Sequence, residues 1–160
     1  MPCTTAPYKN RTERIMLFQN EAVNLKLEIV SYEFSSSAGA SSEDRNWLVL
    51  RATYTHDDGR VIRESSSCLS TGELQELTAG LKVLRSGIRD RWDSEFIEPV
   101  FLFSAYRDEE ERYIINVSFL LQNTMEDIDC ADVDCVMTEV ELSALIEELD
   151  ALCKKFPQRD

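Results

Sequence analysis

From Val23 the chain alternates, with Val23, Leu25, Leu27 and Ile29 apolar and Asn24, Lys26 and Glu28 between them. A period of two places successive side chains on opposite faces, so this segment predicts a half-buried strand. Arg14 to Gln19 reads as a shorter strand before it, joined through a turn at Gln19-Asn20-Glu21. The apolar phase then moves to Tyr32 and Phe34, which predicts a bulge near Val30-Ser31. Ser35 to Arg45 is rich in small polar residues and predicts a connecting loop. Trp47-Leu48-Val49-Leu50 is apolar on both faces and predicts a central strand running to Thr55. His56-Asp57-Asp58-Gly59 turns the chain, and Arg60 to Ser66 returns as a more polar strand near a sheet edge.

The period then changes. Ser70-Thr71-Gly72-Glu73 fits a capping box, in which the hydroxyl and the carboxylate satisfy free amides at a helix start. Leu74, Leu77, Leu81, Leu84 and Ile88 follow as one helical stripe, with Lys82, Arg85 and Arg89 towards its end, where cations suit the dipole. Glu95 to Ala105 predicts an apolar strand interrupted by Pro99. Arg107 to Arg112 is a charged hairpin tip, after which Tyr113, Ile115, Val117, Phe119 and Leu121 give the cleanest alternation in the chain. Beyond the acidic loop at 126–129, Val133, Cys135 and Met137 point inward and Asp132 and Asp134 outward. Thr138-Glu139-Val140-Glu141 is a second capping box, opening a helix with the stripe Leu142, Leu145, Ile146, Leu149, Leu152 and Phe156, and Pro157 stops it.

Four strands, a helix, three strands and a helix predict an α+β domain: a mainly antiparallel, curved sheet of about six to seven strands with two amphipathic helices. The two halves look alike in outline, although their sequences do not visibly repeat. Residues 1–13 lack periodicity and predict a flexible tail, leaving 14–160 as a single domain, in keeping with a length of 160 residues. Trp47, Phe96 and Tyr113 sit in apolar strand patterns and are expected in the core. No apolar run is long enough for a membrane span, and the N-terminus lacks the apolar stretch of a secretory signal.

Charge changes the picture more than composition does. The chain holds 30 acids and 17 bases, and the stretch from Asp93 to Asp150 alone holds 17 acids against Arg107 and Arg112. One third of the sequence therefore carries the negative charge, which repels phosphate backbones and anionic membranes and steers cationic partners. Five cysteines at scattered positions, an odd number, argue for a reducing compartment rather than a disulfide framework. Cys68 and Cys135 have apolar neighbours and read as buried small hydrophobes.

The sequence lacks the signatures of catalysis. Five glycines form neither a dinucleotide nor a phosphate loop, and His56 is the only histidine. A calcium loop starting at Asp127 would need glycine at 132 and glutamate at 138, where the chain has Asp132 and Thr138. No metal, cofactor or catalytic residue is expected, and no nucleic-acid or membrane partner. A binding or inhibitory protein is the leading class; a small-ligand-binding or scaffold protein inside the cell is the alternative, since a curved sheet with helices can enclose a pocket.

Several segments in order resemble the WapI-like family of bacterial immunity proteins from polymorphic and contact-dependent toxin systems. They are Asn46-Trp47-Leu48-Val49, Cys68 to Leu74, Glu95-Phe96-Ile97-Glu98-Pro99, the alternating stretch Tyr113 to Leu121, and the closing Lys155-Phe156-Pro157-Gln158-Arg159. The resemblance spans roughly 14–159. It implies a cytoplasmic, non-enzymatic protein that binds and neutralises a cognate toxin domain, often a nuclease. Nucleases attract phosphate and are usually basic, so the acidic segment fits such a partner. The expected face comprises Asp108, Glu109, Glu110 and Glu111 at the hairpin tip, with Asp127, Asp129, Asp132 and Asp134.

Overall fold

In the computed structural model, which describes residues 15–35, 41–122 and 127–160, the chain runs through four strands and a helix twice. The first half is β1 (Ile15–Gln19), β2 (Asn24–Tyr32), β3 (Trp47–Thr55), β4 (Val61–Ser70) and α1 (Thr71–Ser86). The second is β5 (Arg91–Asp93), β6 (Phe101–Arg107), β7 (Tyr113–Leu120), β8 (Cys130–Met137) and α2 (Glu139–Lys155). Residues 1–14, 36–40 and 123–126 lie outside the described residues, and with them the tail 1–13 and residues 36–40 of the Ser-rich connector. Asp44–Asn46, at its end, forms a single 3-10 turn.

The α+β class and the antiparallel pairing stand as expected, but the single sheet of six to seven strands does not. The described residues form two four-stranded sheets, ordered β1-β2-β3-β4 and β5-β6-β7-β8, every neighbour antiparallel. The run of hairpins ends where α1 carries the chain away from β4, so β5 starts a new sheet. Its three residues are too few to show an alternation. The Glu95–Ala105 strand also needs correction, because β6 begins only at Phe101. Pro99 has no N–H to give a ladder, and the segment before it folds back so that Phe96 stacks on Phe101 at 5.5 Å. The expected bulge is present as a register shift between Ile29 and Ser31.

The inward residues of both sheets and the helix stripes form one buried cluster. Phe18 of β1 meets Phe103 of β6 edge-on at 5.8 Å, so the core runs between the sheets. Tyr113 is buried within it as expected, whereas Trp47 and Phe96 are half-buried. The sheets also touch where β1 and β2 meet β8, and Asn20 Nδ2 donates to the Asp134 carbonyl at 2.8 Å.

Both capping boxes are formed. Ser70 Oγ accepts from Glu73 N while Glu73 Oε1 accepts from Ser70 N, and Thr138 and Glu141 repeat the exchange. The stripe Leu74, Leu77, Leu81 and Leu84 is buried, but Ile88 is 77% exposed. The helix stops at Ser86 because Gly87 takes a left-handed φ of 83° and returns its N–H to the Leu84 carbonyl. Ile88 and Arg89 therefore lie outside the helix. The α2 stripe is buried throughout, ending at Phe156.

A repeat that the residue types conceal becomes visible here. Lys82 Nζ bonds Asp150 Oδ1 across the helix pair at 2.8 Å, with a separation of 68 residues. The same separation relates Ser70 to Thr138, Glu73 to Glu141, and the buried Leu74, Leu77, Leu81 and Leu84 to Leu142, Leu145, Leu149 and Leu152. The contacts repeat as well: α1 packs on β4 and β5, and α2 on β8 and β1. Each helix closes its own half and touches the first strand of the other.

Candidate docking surface

The hairpin between β6 and β7 holds the first four expected acids, and most are engaged within it. Asp108 accepts from the Glu110 and Arg112 amides, both at 2.9 Å, and its carboxylate lies 3.0 Å from Arg112 Nη2. The backbone hydrogen bond from Arg112, foremost among these contacts, holds the Asp108 carboxyl below its ordinary value. Glu110 lies 3.3 Å from Arg112, and Glu111, at a left-handed φ of 60°, pairs with Arg107 at 2.6 Å. Among the described residues Glu109 has no such partner.

Asp127 and Asp129 sit at the other end of the sheet. β7 separates them from the tip by its full length, about 23 Å at ~3.3 Å per residue. The eight acids therefore do not form one cluster. Asp127 instead joins the β3–β4 turn, where Arg60 Nη1 lies 3.3 Å from Asp127 and Nε lies 2.7 Å from Asp58. Asp57 and Asp58 belong to this end too, and their sequence pattern suggested only a turn. The His56, Asp57 and Asp58 ligand atoms fall within 4.8 Å of one another. Two of the three are exposed carboxylates on a tight turn, and the Arg60 amide and guanidinium already occupy Asp58.

Asp132 and Asp134 lie between the two ends, on the outward side of β8. Ser118 Oγ donates to Asp132 at 2.9 Å, and Asn116 Nδ2 donates to Asp134 at 2.5 Å. Both carboxylates are thus fixed by neutral donors on β7, and among the described residues no cation pairs with either. The outward side of the first sheet differs: Lys26, Arg51 and Arg63 surround the lone Glu28, which lies 3.8 Å from both Lys26 and Arg51. The charge asymmetry of the sequence becomes one acidic and one basic sheet face.

A cleft of about 460 Å3 lies between Asn46, Trp47, the start of α1 and Gln158 to Asp160. Its rim is structural. Arg159 stacks over the Tyr32 ring at 3.7 Å and donates to the Arg45 and Phe34 carbonyls, strapping the chain end to the first sheet. No helix among the described residues is long and apolar enough to cross a membrane.

The model of the immunity protein WapI-like family matches residues 16–157, nearly the whole chain. The chain belongs to this family. No curated protein matches this WapI-like chain in sequence. Among solved structures, WHY1 from Arabidopsis thaliana is similar to it at 16% identity and a TM-score of 0.51, over 91% of this chain and 92% of that one. The plant transcriptional regulator PBF-2 aligns at 16% identity and a TM-score of 0.48, over 89% of this chain and 82% of that one. At such identity the likeness to WHY1 concerns the fold alone.

Proposed function

We propose that this WapI-like chain is a cytoplasmic immunity protein that binds a cognate toxin domain, a basic nuclease, and neutralises it by occupation rather than by catalysis. The observation that carries this reading is the family match over residues 16–157. The charge distribution supports it. Carboxylates concentrated on one side attract a phosphate-binding protein, raising the association rate and making it sensitive to salt.

The test is co-expression with the C-terminal domain of any large secreted protein encoded immediately upstream. Survival that depends on this chain, with a co-purifying complex, is the expected result; no rescue and no complex would sink the reading. The association rate should fall by about tenfold or more from low to high salt. Charge reversal at Glu109 and Glu110, which spares the turn-forming Asp108, should slow association if the tip takes part. Unchanged kinetics would remove the tip from the interface.

A further inference from the structure

The ladder of the second sheet brings together three apolar residues that stand far apart in sequence. Tyr106 of β6 pairs with Ile114 of β7, which pairs with Val136 of β8, and Arg91 of β5 extends the row on the other side. All point away from the core: Tyr106 is 41% and Val136 52% exposed, with Ile114 half-buried between them. Below this row lie Asp93, Ser104, Asn116 and Asp134, and in the row after that Leu102, Ser118 and Asp132. Above it the strands run into the hairpin tip with Glu109 and Glu110. The apolar row is thus bordered by carboxylates along the strands in both directions.

We propose that this outward face of the second sheet, centred on Tyr106, Ile114 and Val136, is where the partner docks, and that the partner presents an apolar anchor flanked by lysine or arginine. The proposal rests on the immunity reading and gives it a place. An apolar centre within a polar rim is the anatomy of protein interfaces, where a few large side chains hold most of the affinity. The charges select the occupant. Asp132 and Asp134 are held in position by Asn116 and Ser118 and, among the described residues, pair with no cation, so a partner's cation meets preset acceptors and little side-chain freedom is lost. The face already contains one example of the contact. The Arg91 guanidinium sits 5.7 Å from the Tyr106 ring centre while its fork binds both Asp93 oxygens, at 2.8 and 3.0 Å. The opposite sheet face, with Lys26, Arg51 and Arg63, would repel the same partner.

The experiment measures affinity for the upstream-encoded toxin domain with the full chain, Tyr106→Ala, Val136→Lys and, as a control on the other face, Lys26→Glu. All three positions are outward, and matching thermal melts establish that each variant is folded. Tenfold or greater weakening by Tyr106→Ala and by Val136→Lys, with Lys26→Glu unchanged or tighter, is the expected result. Wild-type affinity in both face variants would overturn the placement and leave the immunity function standing. A wild-type chain that binds nothing removes both readings. A concentration-dependent dimer of this chain alone, abolished by Val136→Lys, would assign the row to self-association and overturn the proposal.

Discussion

Gly80 lies against the Trp92 indole so closely that an added Cβ would come to 2.5 Å from Cε2 and 2.6 Å from Cδ1. Glycine inside a helix ordinarily costs about 1 kcal/mol relative to alanine, so the exchange usually stabilises. Here the overlap with a rigid ring wins, and Gly80→Ala is expected to destabilise by about 1–3 kcal/mol. A lower urea midpoint with altered tryptophan emission is the readout. Gly72→Ala, where the nearest atom is Ser70 Oγ at 3.9 Å, should raise the midpoint or hold it and leave the emission unchanged. The buried thiols give a second test. Burial pushes Cys68 up to about 12 and Cys135 up to about 11, from an ordinary 9.0. A raised folded value means the folded state keeps its proton while the unfolded chain loses it. Their stabilisation is therefore complete below pH 9 and declines as pH rises towards 11 and 12. Iodoacetamide at pH 8 should modify neither thiol until denaturant is added; peptide mapping that finds Cys68 or Cys135 alkylated in the native protein would refute their burial.

The capping boxes look interchangeable in sequence, and the structure separates them. Glu141 is exposed and serves its own helix, whereas Glu73 is buried and its second oxygen accepts the Ile97 amide at 2.7 Å. Glu73→Ala therefore loses the cap and strands a half-buried amide, at a cost of about 2–3 kcal/mol, against about 1 kcal/mol for Glu141→Ala. Chemical denaturation of the two variants decides; equal losses would show that the Ile97 tie contributes nothing. Strands and helices themselves were legible, because a period of two, a helical stripe and a capping box each act within a few residues. The division into two sheets was not. Alternation tells which face a residue takes but not which strand lies beside it, so nothing in the sequence joins Tyr106, Ile114 and Val136. Only the register makes them neighbours. The same blindness merged the expected acids into one face: Asp108 and Asp127 are near in charge pattern but a full strand apart. Ile88 fits the stripe by spacing, yet Gly87 ends the helix before it.

At the scale of the molecule, neither half covers itself. α1 rests on Trp92 and the strands that open the second sheet, α2 rests on β1, and Phe18 needs Phe103. Fragments 15–90 and 91–160 are accordingly expected to unfold without a cooperative transition when alone and to recover one when mixed, as followed by circular dichroism. Cooperative melting of either fragment by itself would contradict this division of the core. The two-part plan also has an electrical consequence. Two separate, identical subunits would have to repeat every surface residue, so any acid on one would recur on its mate. Within one polypeptide the halves are released from that identity: β8 turns Asp132 and Asp134 outward where β4 turns Val61, Arg63 and Ser65. The molecule gains a permanent dipole between its two sheet faces, which orients it in the field of an approaching cation before any contact is made.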